Sequence, residues 1–187
     1  TGQNAKFHGQ NQYKNERDVG HPLLNFGRCM VHFAVDTDEA YMTTKLEGKS
    51  TFFLPFNLGD NFGKGNPPNP FGHKTAYLWN EVLTRQSVAN IMQHFVRFDG
   101  KDTDPLAKKR LYFPRYHQMD VVRRLIADAS RYGVGRSYLI QHSAGSGKSN
   151  SITWAAYQLI ETYPVSSEVP GAKGTQNPLF DSVIVVT

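Results

Sequence analysis

The stretch that decides the reading is "YLIQHSAGSGKSNSITWAAYQLI", residues 138–160. A short buried strand, "SYLIQH" (137–142), is expected to lead into a glycine-bearing turn, and the turn into a helix. At the turn stand Gly145, Ser146, Gly147, Lys148 and Ser149. This spacing follows G-x-x-x-x-G-K-[ST], a loop with a physical rationale. Glycines let successive backbone N–H groups turn toward phosphates, the lysine reaches the β/γ phosphates, and the hydroxyl takes magnesium. The positive end of the following helix adds to the attraction. His142 occupies the position of the first glycine. That position only carries the chain out of the strand, so the departure leaves the cradle intact.

Working outward, "YFPRYHQMDVVRRLIADASRYG" places Pro114 ahead of a helix that starts near Tyr116. Met119, Val122, Leu125, Ile126 and Ala129 line one side of that helix, and Gly133 stops it. Downstream, a loop over 164–178 leads to "SVIVVT" (182–187), an apolar run of the kind found in central parallel strands. Strand, phosphate loop, helix and strand in that order imply the start of a doubly wound parallel sheet. Gln118 lies thirty residues before Lys148. A loop that keeps Gly147, Lys148 and Ser149 without the leading glycine resembles those of superfamily 2 helicases and translocases, and the resemblance implies that Gln118 reads the adenine edge, with Arg115 or Tyr116 packing on the base.

The first half reads differently. "FGRCMVHFAV" (26–35), "AYMTTKL" (40–46) and "STFFLPF" (50–56) are expected strands, with "DTDE" as a hairpin turn. The Gly/Asn/Pro-rich run 57–73 is a long loop. Residues 75–98 are expected to be helical, with Leu78, Val82, Val88, Ile91, Met92 and Phe95 inward and a break near Thr84 or Ser87. The expected organisation is an α/β domain over 1–98, a polar linker over 99–106, and a second α/β unit over 107–187.

Composition bounds the class. The chain has 187 residues, of which 39% are hydrophobic, 12% aromatic and 20% charged. Those values belong to a globular protein with real cores. The net charge of +5 lies wholly in residues 107–187, which hold 10 Lys/Arg against 5 Asp/Glu. The basic stretch includes Arg123, Arg124 and Arg136, which suit a polyanion such as DNA. A single cysteine, Cys29, excludes an internal disulfide and points to a reducing, cytoplasmic setting. Cys29 itself is expected in a buried strand. No run reaches the roughly 18–20 apolar residues that span a bilayer. The chain opens on Thr1 and closes on a strand-like run, so both ends are expected to be cut from something longer.

Several stretches together carry a resemblance: "FGRCMVHFAVDTDEAYMTTKL", "TFFLPFN", "HKTAYLWNEVL", "FPRYHQMDVVRRL" and "HSAGSGKSNSITWAAYQL". In this order they resemble the motor and endonuclease (R) subunit of type I restriction enzymes. The resemblance implies the back part of a PD-(D/E)xK nuclease domain, then the start of a superfamily 2, RecA-like ATP-binding lobe. It implies ATP and magnesium as cofactors, double-stranded DNA as substrate, and methyltransferase and specificity subunits as partners. The catalytic Glu-x-Lys of the nuclease would precede Thr1, and the acidic motor motif and second lobe would follow Thr187. The family's Gln-x-x-x-Tyr is met by Gln10 and Tyr13 one residue too close, as supporters of the nuclease site. Asp36 or Asp38 with Glu47-Gly48-Lys49 imitates a nuclease site, but both runs read better as turns. His8, His21 and His32 have no metal-ligand spacing. Two other readings stay open: a superfamily 2 helicase with an unrelated N-terminal domain, and a non-catalytic nucleotide- or DNA-binding module.

Overall fold

The computed structural model describes residues 2–61 and 63–186. The chain divides into two compact units, Thr1–His117 and Gln118–Thr187.

In the first unit, β1 (His32–Val35) and β2 (Ala40–Thr43) form an antiparallel hairpin with Val35 opposite Ala40. β3 (Leu54–Pro55) pairs with β2 at Tyr41 and Met42. Proline cannot donate to a ladder, which suits an edge strand. The hairpin turn is fixed by Asp36. Its Oδ1 accepts the N–H groups of Asp38 (2.7 Å) and Glu39 (2.8 Å), an Asx-type turn. Its Oδ2 accepts the Ala5 N–H at 2.6 Å, and its carbonyl accepts the Thr75 hydroxyl at 2.6 Å. One residue therefore ties the turn to the N-terminal π-wound helical turn Ala5–Gly9 through its side chain and to the 3-10 turn Lys74–Ala76 through its carbonyl; a second π turn, Gln12–Glu16, follows the first.

The long loop 57–73 is closed by Asn66, which is buried. Its Oδ1 accepts from Leu58 N, and its Nδ2 donates to Asp38 O and Asn57 Oδ1. The helical segment breaks where Thr84 caps α1 (Arg85–His94), accepting from Ser87 N. Before the break, Leu78–Val82 winds as a π turn. Leu78, Val82, Ile91 and Phe95 are buried as the periodicity requires, Val88 is half-buried, and Met92 is exposed. The helix ends short of residue 98, because β4 (Arg97–Asp99) pairs with β5 (Arg110–Tyr112). The expected linker 99–106 thus lies within the connection of a hairpin inside the first unit.

Aromatic edges carry much of this core. Phe56 is fully buried and meets Phe33 (5.1 Å between ring centres), Phe113 (6.3 Å) and Tyr116 (6.0 Å). The Tyr77 hydroxyl donates to Phe56 O. Cys29 sits ahead of β1 and is half-buried rather than inside a strand. Its Sγ donates to Val31 O and lies 3.6 Å from His32 Nδ1.

α2 (Tyr116–Tyr132), which belongs to the second unit from Gln118 on, runs as expected and is closed by Gly133 at φ +71°. The Gly133 N–H donates to Ala129 O, and a side chain at this position would collide with Pro170 O. α3 (Lys148–Ile160) follows the glycine turn at 145–147. The loop after α3 returns to the end of α2 through Val165 N to Ser130 O and Val134 N to Pro170 O. Met119, Val122, Ala129, Trp154, Val169 and Leu179 are buried.

The parallel sheet expected here does not form. Both sheets are antiparallel, β1–β2–β3 and β4–β5. Runs 137–142 and 182–186 form no strand among the described residues, and Thr187, the last residue of the second expected strand, lies outside them. Leu139 is 96% exposed, Ile184 85% and Val186 90%. The reason is physical: an apolar run becomes a strand only when a neighbour takes up its N–H and C=O groups. No strand among the described residues pairs with either run. The fold is mixed α/β with small antiparallel sheets. No helix among the described residues is long and apolar enough to cross a membrane.

Two outcomes follow. Phe56→Ala should cost about 3–5 kcal/mol, read as a lower urea midpoint. His32 is buried, and burial holds its pKa below the usual 6.5. Above that pH neither state is protonated and nothing changes. As pH falls below it the unfolded chain takes up a proton first, so stability is lost toward the folded-state pKa. His32→Gln should therefore lose less stability than the parent between about pH 7.5 and pH 5.5, measured by urea unfolding at each pH.

Candidate phosphate-binding site

The loop between residues 142 and 149 has the backbone that a phosphate cradle needs. Gly145 (φ +71°) and Gly147 (φ +82°, ψ 36°) both take the left-handed conformation, which costs a residue with a side chain about 1–2 kcal/mol. Among the described non-glycine residues only Asn61 has a positive φ, so His142 takes an ordinary conformation. The backbone does not require glycine at that position, which explains why histidine serves there.

Gly147 is the N-cap of α3, and no side chain caps the helix. The first turn of a 13-residue helix thus presents backbone N–H groups with the positive end of the helix dipole. The Gly147 carbonyl is crowded with donors: Asn150 N at 3.1 Å and Ser151 N at 3.4 Å within the helix, and Gln118 Nε2 at 2.9 Å from α2. Gln118 Nε2 also donates to Ser146 O at 3.3 Å. Gln118 is 3% exposed and Ser146 7%, so this is the buried floor of the loop.

Lys148 lies on the open side. Its Nζ donates to His142 O (3.2 Å) and Ser143 O (3.1 Å). An ammonium has three donors, so it can stay on the loop carbonyls and still turn one N–H toward an anion. Ser149 is exposed, and its Oγ takes no partner among the described residues. Lys148 and Ser149 therefore hold positive charge and a hydroxyl at the same helix end. Those groups fit a magnesium–polyphosphate: the lysine and the backbone N–H groups for the phosphates, and the Ser149 hydroxyl for the metal. No cluster of three or more His, Cys, Asp or Glu that could hold a metal by itself occurs among the described residues.

The remaining sequence-derived residues fall elsewhere. Tyr116 packs edge-on to Tyr77 and Phe56 and reaches Glu81 with its hydroxyl, so it serves the core of the first unit. Arg115 is half-buried, and burial lowers its pKa. Arg124 Nε pairs with Asp120 Oδ1 at 2.9 Å. Arg136 Nη1 lies 3.3 Å and 3.2 Å from the two Asp128 oxygens, and its guanidinium stacks 4.1 Å from the Tyr132 ring centre. Both arginines are locally neutralised, while Arg123 is half-buried on α2. Beside α2, Val121, Leu125, Asp128, Arg136, Tyr138 and Ile140 line an open groove of about 500 Å³, apart from the phosphate loop.

In the first unit, Gln10 is half-buried at the end of a π turn, and its backbone N–H donates to Ala5 O and Phe7 O. Tyr13 directs its hydroxyl to Phe33 O at 3.3 Å and its ring against His32 and Phe53. Burial raises its pKa, opposed in part by Arg17. Asp38 pairs with Lys74 at 2.8 Å, which lowers its pKa, and Glu47 pairs with Lys45 at 3.0 Å. Gly48 has φ +56°, and the Asp36 carboxylate is committed to backbone N–H groups. These carboxylates behave as the turn residues the sequence suggests. His8 and His21 accept local backbone N–H groups.

The sequence missed two things. One is Asp36 as the knot of the first unit, although an aspartate opening a four-residue hairpin turn is a legible signal. The other is the bond from Gln118 to the loop, which spans 29 residues and has no local signature. No protein-family model, no curated protein and no solved structure matches the chain.

The two glycines should respond differently to a side chain. A Cβ at Gly145 meets nothing within 4 Å, whereas one at Gly147 overlaps the Gln118 amide nitrogen. Gly145→Ala should cost about 1–2 kcal/mol from backbone strain alone. Gly147→Ala should cost more, because Gln118 must also move. Thermal unfolding of the two variants measures the difference.

Proposed function

We propose that this chain binds a magnesium–nucleoside triphosphate at residues 142–149 and is part of an ATP-dependent enzyme acting on duplex DNA. The observation that carries the nucleotide reading is the loop itself. Two left-handed glycines, a lysine held over the loop carbonyls and an uncapped helix N-terminus converge on one spot. Gly145, Ser146 and Gly147 supply the cradle, Lys148 the charge at the β/γ phosphates, and Ser149 the magnesium ligand. Within this proposal Gln118 belongs to the nucleotide site, directly below the loop.

The wider reading rests on the ordered sequence resemblance to the R subunit of type I restriction enzymes. It supports ATP hydrolysis coupled to translocation of duplex DNA, with magnesium-dependent cleavage and methyltransferase and specificity subunits as partners. Exposed Arg124 and Arg136 are the proposed phosphate contacts on DNA, joined by Arg123. Cleavage is not assigned to Asp36, Asp38 or Glu47, whose oxygens already serve turns and ion pairs. Gln10 and Tyr13 stay as proposed supporters of a nuclease site.

The test is calorimetric titration of the 187-residue chain with Mg–ATP. Lys148→Ala removes a charge-assisted contact worth about 1.5–3 kcal/mol, so affinity should fall about 10- to 100-fold. Equal binding by the parent chain and the variant would overturn the assignment of the cradle.

A further inference from the structure

The amide of Gln118 is placed for a task other than touching a base. It is 3% exposed, lies at the start of α2, and directs Nε2 to two consecutive loop carbonyls, Ser146 O at 3.3 Å and Gly147 O at 2.9 Å. A primary amide nitrogen has two N–H donors, and each has a carbonyl here. Recognition of an adenine edge by one glutamine is bidentate, with the side chain accepting from N6 and donating to N7. A glutamine whose donors are both committed to the loop makes that pair only by releasing the loop.

The geometry around Gly147 points the same way. Gly147 is held in the left-handed region (φ 82°, ψ 36°), and its carbonyl accepts from Gln118 Nε2 of α2. That carbonyl also accepts from Asn150 N and Ser151 N, so Gln118 holds the atom that starts the first turn of α3. Gly147 has room for no side chain because the Gln118 amide fills the place of one. Lys148 then closes the loop from the other side by bonding His142 O and Ser143 O. The loop is gripped from below by an amide and from above by an ammonium.

We propose that Gln118 is a positioning residue for the phosphate loop, and that the site selects its ligand by the polyphosphate rather than by the base. The proposal rests on the phosphate-loop reading and deepens it. It makes inorganic tripolyphosphate a ligand in its own right and ties its affinity to Gln118.

The experiment uses the whole 187-residue chain, the Lys148→Ala variant and Gln118→Met, which keeps the side-chain volume without the donors. Each is titrated with Mg–tripolyphosphate and with Mg–ATP. The parent should bind both probes, and Lys148→Ala should weaken both. Gln118→Met should weaken both by the same factor, about tenfold for the loss of neutral hydrogen bonds. Hydrogen exchange supplies the readout that a merely structural role would not move. In Gln118→Met, exchange should rise at residues 143–149 while the α2 amides stay protected. Loss of Mg–ATP affinity with tripolyphosphate binding intact would overturn the proposal and leave the phosphate-loop reading standing. Raised exchange along α2 with an unchanged loop would also overturn it. A parent chain that binds neither probe would overturn the proposal and the reading beneath it together.

Discussion

A turn built on two left-handed glycines, Gly145 and Gly147, is permitted but not fixed by its own backbone, so its conformation depends on what holds it. In this chain the hold is a pair of hydrogen bonds from one buried amide, Gln118 Nε2 to the carbonyls of Ser146 and Gly147. Two glycines in the left-handed region make the turn possible, but permissiveness does not choose one conformation. The choice comes from below, where Gln118 fixes the Gly147 carbonyl, and that same carbonyl receives the first N–H groups of α3. The direction of the helix end and the direction of its exposed donors therefore follow from one contact between α2 and the loop. Electrostatics then act on a prepared geometry: the helix dipole and Lys148 bring positive charge to the place where those donors point.

The first unit is organised on a similar principle with a different residue. Asp36 has four polar partners: the N–H groups of Ala5, Asp38 and Glu39, and the hydroxyl of Thr75. A carboxylate that accepts several backbone N–H groups has little capacity left for a metal. Asp38 and Glu47 are drawn to Lys74 and Lys45. Acidic side chains that look like a metal site in the sequence thus serve as turn-formers and surface pairs. Around them, Phe56, which follows β3, meets Phe33 of β1, Phe113 and Tyr116 through ring contacts, so side chains more than twenty residues apart share one apolar cluster.

Local chemistry made some of this legible in advance. The "DTDE" turn, the cap at Thr84 and the stop at Gly133 each depend on a residue acting on its near neighbours. The structure places the turn and the stop where the sequence puts them, and of the two positions the sequence offered for the cap, Thr84 and Ser87, it uses Thr84. The glycine turn and the helix that starts at Lys148 were legible for the same reason, since the residues that form them are near neighbours. The strands expected over 137–142 and 182–187 do not form among the described residues, because a strand is a property of a pair, and hydrophobicity alone does not name the neighbour. The sequence also suggested Tyr116 as a partner for a base, yet the tyrosine lies against Phe56 and Tyr77. Its position beside Gln118 in the chain concealed that the two side chains have different tasks.

The central claim is that residues 142–149 form the site where a polyphosphate sits. The most direct measurement is an amide-resolved NMR titration of the isotope-labelled chain with Mg–tripolyphosphate. The account predicts that the largest shifts fall on Gly145, Gly147, Lys148 and Ser149, with Gln118 next through its side-chain amide. Shifts centred on the groove at Arg136 and Tyr138, with the loop unmoved, would contradict it.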